Sequence, residues 1–292
     1  MRLRLLDLDG SVRDQNVFPS TAQVLDLGNE ADSLRFWADT AAMRRFGQRI
    51  GAARAPEGNG PVVTFVGSGD FHHLTVALLA AVPEPVSLVH FDNHPDWVTF
   101  PPAYHCGSWV NRVIELPLVK RVVTIGPCAD DLAWPQLKGG NLTALKNRTL
   151  EILPWRHGPS RLLGKPDIHW TALADRPDRA ELLTDLFDRL PTEAVWISID
   201  KDVLRPEEAV TNWDQGEMPL SALEEAVRLL AGRRRIIGVD VCGEYSPPAF
   251  ASPLKRIAAW LDHPRSSSPV PADLQRNAAT NQRLLGLLSE VL

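Results

Sequence analysis

Seven short runs rich in Val, Ile and Leu recur along the chain, at 3–9, 61–67, 86–92, 121–126, 150–155, 194–200 and 234–241. Most are apolar at successive rather than alternate positions, the pattern of strands buried on both faces, as in a parallel sheet. Between several of them lie segments with apolar residues three and four apart, at 31–47, 73–82, 177–189 and 219–231. Strands alternating with helices predict a three-layer α/β/α fold with a mostly parallel sheet. Right-handed crossovers would bring the strand C-termini to one rim, where open α/β sheets bind ligands.

The 292 residues suffice for one α/β domain spanning 1–292. Residues 127–150 and 155–176 read as long loops carrying short helices. PRSSSPVPA at 264–272 reads as a linker before a C-terminal helix. A formal net charge of -5 gives no basic footprint for nucleic acid. Cys106, Cys128 and Cys242 are odd in number and form no CxxC, which suits free thiols in a reducing cytosol. Charge interrupts the N-terminal apolar run early, and no stretch approaches the roughly 20 apolar residues of a membrane helix. A cytoplasmic protein acting on a small molecule, without a membrane partner, is the expectation.

Three segments carry chemistry. HFDNHPDW at 90–97 ends an apolar run. Asp92 and His94, two apart on an extended backbone, point to one side, and a turn at Pro95 lets Asp96 swing back toward them. WISIDKDVL at 196–204 again ends an apolar run, with Asp200 and Asp202 sharing a side and Lys201 pointing away. Carboxylates this close repel unless a cation or hydrogen-bond donors lie between them. GSGDFHHLT at 67–75 supplies a glycine-rich turn followed by His72 and His73, of which one is to face the rim, with His72 favoured. Carboxylates and imidazoles converging at strand ends suit a divalent cation.

Taken in order, these segments resemble the ureohydrolase family of arginases and agmatinases, within the arginase/deacetylase superfamily. The family's Gly-Gly-Asp-His, Asp-Ala-His-x-Asp, Asp-x-Asp and late-glutamate pattern corresponds to G-S-G-D-F-H-H, D-N-H-P-D, D-K-D and D-V-C-G-E-Y-S-P. The correspondence spans about residues 60–250 and rests on the combination, since no single piece is specific. It implies two divalent ions, Mn²⁺ first, with Zn²⁺, Fe²⁺ or Co²⁺ open on ligand type. Asp92 and Asp200 would bridge both ions, His72 and Asp96 would complete one shell, and His94 and Asp202 the other. It also implies that His105 shuttles protons and that Glu244 binds the substrate's cationic group. The family forms trimers and hexamers, which leaves a homo-oligomer open.

The resemblance implies hydrolysis of a C–N bond in a guanidino, amidino or related amide substrate by a metal-bridging hydroxide, with Asp202 passing a proton to the leaving nitrogen. The chain departs from the family in three places: Phe71 is inserted in the first turn, WVTFPPAY replaces the Ser/Asn loop, and TNWDQGEMP at 211–219 replaces the Gly-Thr-x-x-Pro-Gly-Gly loop. Trp97, Tyr104 and Trp213 would then wall the pocket, and arginase activity itself does not follow. Two alternatives stand beside this reading: a single-metal deacetylase-like amidohydrolase, and a metal-binding protein without turnover.

Overall fold

The computed structural model describes residues 1–53, 60–99, 104–247, 249–263 and 270–292. All seven apolar runs form strands of one sheet: β1 (Arg2–Asp7), β4 (Val62–Ser68), β5 (Val86–Phe91), β7 (Val119–Ile125), β8 (Leu150–Leu153), β9 (Ala194–Asp200) and β10 (Arg235–Glu244). The eighth, β2 (Gln23–Asp26), is a half-exposed edge strand that no apolar run announces. The order is β2-β1-β4-β10-β9-β5-β7-β8, and each pairing is parallel. An antiparallel pair of two-residue strands, β3 (Trp37–Ala38) and β6 (Tyr104–His105), lies apart from it.

Alternation along the strands sorts the core into two layers. Val63, Phe65, Val89, Val123, Ile197 and Val239 pack on one face with α6 (Arg179–Asp188), α7 (Leu220–Ala231) and α9 (Pro271–Val291). Leu6, Val66, Leu88, Val122 and Trp196 pack on the other, with α2 (Thr40–Ala52), α3 (Thr75–Leu79), α4 (Trp109–Ile114) and α5 (Leu142–Lys146). This is the three-layer arrangement that the sequence predicts.

The helix expected over 31–47 is instead two. A single turn, α1 (Ala31–Leu34), stops where Arg35 turns inward and Phe36 takes φ 68°; α2 restarts after Asp39, whose side chain caps the Ala42 N–H. Arg35 is drawn out of helical register by its buried ion pair with Asp70, 2.7 Å away. The 73–82 segment likewise divides into a 3₁₀ stretch (Gly69–Leu74) and α3. Of the expected linker, residues 264–269 lie outside the described residues and 271–272 already belong to α9. An unpredicted helix, α8 (Pro253–Asp262), follows β10.

β4 and β5 are consecutive long strands in the chain, yet β10 and β9 insert between them. The sheet therefore changes direction at its centre, the place where α/β sheets open a crevice at their C-terminal rim. The β9–β10 contact at that centre depends on Gly238, over which the Trp196 ring lies so closely that any Cβ would enter it. Gly238→Ala should therefore cost about 1–3 kcal/mol through overpacking. Denaturant unfolding checks this, and an unchanged midpoint would contradict it.

Candidate metal centre

The rim at the sheet centre is built in two rows. The lower row is a line of buried polar residues in register across five neighbouring strands: Thr64, Asp240, Ser198, His90 and Thr124. Two residues further along the same face, Cys242 pairs in register with Asp200, and Asp92 follows β5. A period of two puts each of these side chains directly above its counterpart in the lower row. The loops beyond the strands add His72, His94, Asp96 and Asp202.

These side chains converge. His72 Nδ1 lies 3.1 Å from Asp92 Oδ2 and 3.4 Å from oxygens of both Asp96 and Asp200. His94 Nδ1 lies 2.9 Å from Asp202 Oδ2 and 3.5 Å from Asp92 Oδ1. The potential ligand atoms form three overlapping groups, each within 4.8 Å: His72, His90, Asp92 and Asp96; His72, Asp200 and Cys242; and Asp92, His94 and Asp202. All six metal-ligand candidates from the sequence thus meet at one place. Asp96 arrives there with φ 48°, a left-handed conformation that is strained for a non-glycine residue, just after Pro95. Trp109 Nε1–H holds its Oδ2 at 2.5 Å.

The hydrogen bonds around the imidazoles fix which nitrogen faces the centre. Ser198 donates its hydroxyl to Asp240, 2.6 Å away, so it must accept from His72 Nε2–H at 2.9 Å. His72 Nδ1 then faces the centre and makes no hydrogen bond, although it is buried among three carboxylates. Asp240 is itself steadied by Trp196 Nε1–H and the Thr75 hydroxyl. His94 Nε2 faces Asp214 Oδ1 at 3.1 Å, which leaves Nδ1 toward Asp92 and Asp202. His90, pushed toward its neutral form by burial, donates Nε2–H to Asp92 and accepts from Thr124. Such outer partners fix ring orientation and raise donor strength in metal sites.

The electrostatics are unbalanced without added positive charge. Burial, then the charge of Asp92, pushes the Asp96 carboxyl well above its usual range. Burial followed by Asp200 and Asp92 does the same to Asp202. For Asp92 burial pulls upward too, but His90, His72 and His94 outweigh it and hold it well below. Despite burial, which lowers both, His72 is driven up by Cys242 and then by Asp200 and Asp92, and His94 by Asp202. Buried carboxylates converging on an imidazole nitrogen that makes no hydrogen bond are an arrangement that divalent cations fit.

A cavity of about 740 Å³ opens over this cluster. Trp37, Trp97 and Trp213 contribute aromatic wall, His105 and Cys106 line one side, and Leu137 and Leu261 stand at its edge. Asp130, Asp131, Asp214 and Asp262 face it against Lys138, so its field favours a cation. Asp214 escaped the sequence reading because its neighbours, in TNWDQGEMP, are unlike any ligand motif; only its place beside the Asp-x-Asp strand hints at it. His90 and Cys242 escaped as well, although both lie an even number of residues from recognised or paired acidic positions.

Two of the sequence assignments change, and a third gains a defined charge state. Tyr104 pairs through β6 with Ala38 and faces a separate groove beside Thr40 and Met43, not the cavity. Glu244 does not line the cavity; it is buried against Lys201 Nζ and accepts from Asn277 and Asn281 of α9. Gly243, at φ 86°, makes the bulge that turns it there. The third is His105, whose Nδ1 accepts the Gly107 N–H at 2.9 Å, leaving the proton on Nε2. Burial, opposed by Asp70, lowers its pKa to about 4, which keeps it neutral near pH 7. His73 is also buried and belongs to none of the three groups, its pKa lowered to about 3 chiefly by burial.

No family model matches the chain. An uncharacterized protein of Thermotoga maritima is 25% identical over 248 residues, covering 85% of this chain and 82% of its own. Among solved structures, the Bacillus subtilis arginase is 15% identical, with a TM-score of 0.60 over 100% of this chain and 98% of that one. The formimidoylglutamase of the same species is 14% identical, also at 0.60, over 100% and 87%. The proclavaminate amidino hydrolase of Streptomyces clavuligerus is 17% identical, at 0.56, over 98% and 90%. The fold is therefore the arginase-like α/β fold. Among the described residues no helix is long and apolar enough to cross a membrane.

His105 makes native stability sensitive to acid. An unfolded histidine takes up its proton near pH 6.5, whereas the folded one does so only near 4. Between these values the unfolded state binds more protons, so stability falls as pH falls, by up to about 1.4 kcal/mol per pH unit from this group. Unfolding free energies measured from pH 7 to 4.5 should show a shallower decline in His105→Gln; identical slopes would contradict the assignment.

Proposed function

We propose that residues 1–292 form one α/β unit that hydrolyses a C–N bond of a guanidino, amidino or related amide substrate at a two-ion metal site. The observation that carries this is the buried His72 Nδ1, which makes no hydrogen bond, lies 3.1–3.4 Å from Asp92, Asp96 and Asp200 and is aimed by the Ser198–Asp240 chain. The fold shared with an arginase and an amidino hydrolase supports it. In this reading His72 and Asp96 hold the inner ion, His94 and Asp202 the outer, and Asp92 and Asp200 both. The outer donors are oxygen and imidazole only, which suits Mn²⁺.

Cations there would supply the charge that acidifies water and polarises the scissile carbon's substituents. The chain's own residues do the rest. Asp202, beside His94 and the Asn93 N–H, would pass a proton toward the leaving nitrogen. Asp214 keeps His94 oriented through Nε2. His105 Nε2–H provides a fixed donor at the cavity wall. The acidic rim draws a cationic substrate, and Trp37 and Trp213 offer it aromatic faces; this replaces the role expected of Glu244. A one-ion deacetylase-like site would leave Asp96, Asp202 and His72 without work.

The metal-loaded protein, assayed against a panel of guanidino, amidino and acylamino compounds, should release urea, ammonia or the free amine from cationic members first. Full loading with no release from any member would leave a binding protein and overturn the hydrolase reading. Separately, Asp92→Ala and Asp200→Ala should each purify with less than about a tenth of the wild-type metal, since outer and orienting groups alone already change affinity about 10–100-fold. Metal analysis checks this, and normal content in both variants would remove the site assignment.

A further inference from the structure

Cys242 belongs to the same constellation, although nothing in the resemblance assigns it a part. It stands two residues beyond Asp240 on the face of the sheet that carries the cluster, in register with Asp200. Its thiol is buried, at 2% exposure, and donates to Asp200 Oδ2 at 3.2 Å. Its Sγ, a His72 ring nitrogen and an Asp200 oxygen lie within 4.8 Å of one another. Ligands held at about 2.0–2.3 Å from one ion are separated by roughly 3–3.6 Å. The Sγ–Oδ2 distance and the 3.1–3.4 Å distances from His72 Nδ1 to the carboxylates are of that size.

The backbone explains why sulfur is there. Gly243 takes φ 86°, and a Cβ on it would collide with Asp200 Oδ1 and the Lys201 backbone. The bulge shifts the register between Cys242 and Glu244. It leaves Cys242 facing the cluster and turns Glu244 away to Lys201.

We infer that Cys242 is a thiolate ligand of the inner metal position, and that this position selects a borderline cation such as Zn²⁺, Co²⁺ or Fe²⁺ over Mn²⁺. The thiol gives up its proton to solvent as the sulfur–metal bond forms, so the step balances without an oxidant. Soft sulfur donors favour such cations, whereas the outer position keeps only oxygen and imidazole. The two positions are then chemically unequal. The inference rests on the metal-site reading above.

The test is cobalt loading of metal-free protein, read by absorption together with bound metal. Wild type and Cys106→Ala should show a near-ultraviolet thiolate-to-cobalt charge-transfer band. Cys242→Ala and Cys242→Ser should bind cobalt without it. In equilibrium dialysis against mixed Zn²⁺ and Mn²⁺, the same two variants should shift occupancy toward Mn²⁺ by about tenfold or more. Cobalt bound to wild type without the band, or a band that survives in both Cys242 variants, would overturn the thiolate assignment while leaving the metal site intact. Failure of wild type to bind cobalt, Zn²⁺ or Mn²⁺ would overturn the metal site itself, and the thiolate with it.

Discussion

Four carboxylates, Asp92, Asp96, Asp200 and Asp202, are buried at one end of the sheet, each at 6% exposure or less. Like charges placed this close out of water repel strongly, and desolvation adds to the cost. The protein meets part of that cost internally: His72, His90 and His94 surround Asp92, and Trp109 donates to Asp96. It does not meet all of it, because two of the carboxyls are still driven well upward. The surrounding architecture reads as the means of holding an electrostatic demand that cations satisfy.

The sheet order makes this possible. With β10 and β9 inserted between β4 and β5, four adjacent strands deliver their C-termini to one spot. Each delivers a donor there directly or through the loop that follows. Beneath them, the Thr64–Asp240–Ser198–His90–Thr124 row forms a buried polar base in register. Its hydrogen bonds fix the ring of His72 and the orientation of Asp92, so part of the order of the centre is inherited from strand register.

Much of this was legible in the sequence. Seven apolar runs gave seven of the eight sheet strands found among the described residues, and the D-x-H-x-D and D-x-D spacings marked the two strand ends whose side chains converge. What was not legible depends on contacts between distant segments. The 31–47 helix pattern is sound locally, but Arg35 leaves it for Asp70, a partner 35 residues away. Glu244 fits a motif, yet the Gly243 bulge inverts its direction and α9 supplies the amides that hold it. Tyr104 is separated from the pocket by a two-residue strand too short to show any period. His105 was read in the right place, but its charge state is set by burial, which sequence does not display.

The central claim is that this cluster holds two divalent ions. Crystals grown with Mn²⁺ and Zn²⁺, measured on both sides of each metal's absorption edge, address it most directly. The account predicts two anomalous peaks per chain, one among His72, Asp92, Asp96 and Asp200, the other among Asp92, His94, Asp200 and Asp202. A single peak, or peaks confined to other residues, would contradict it.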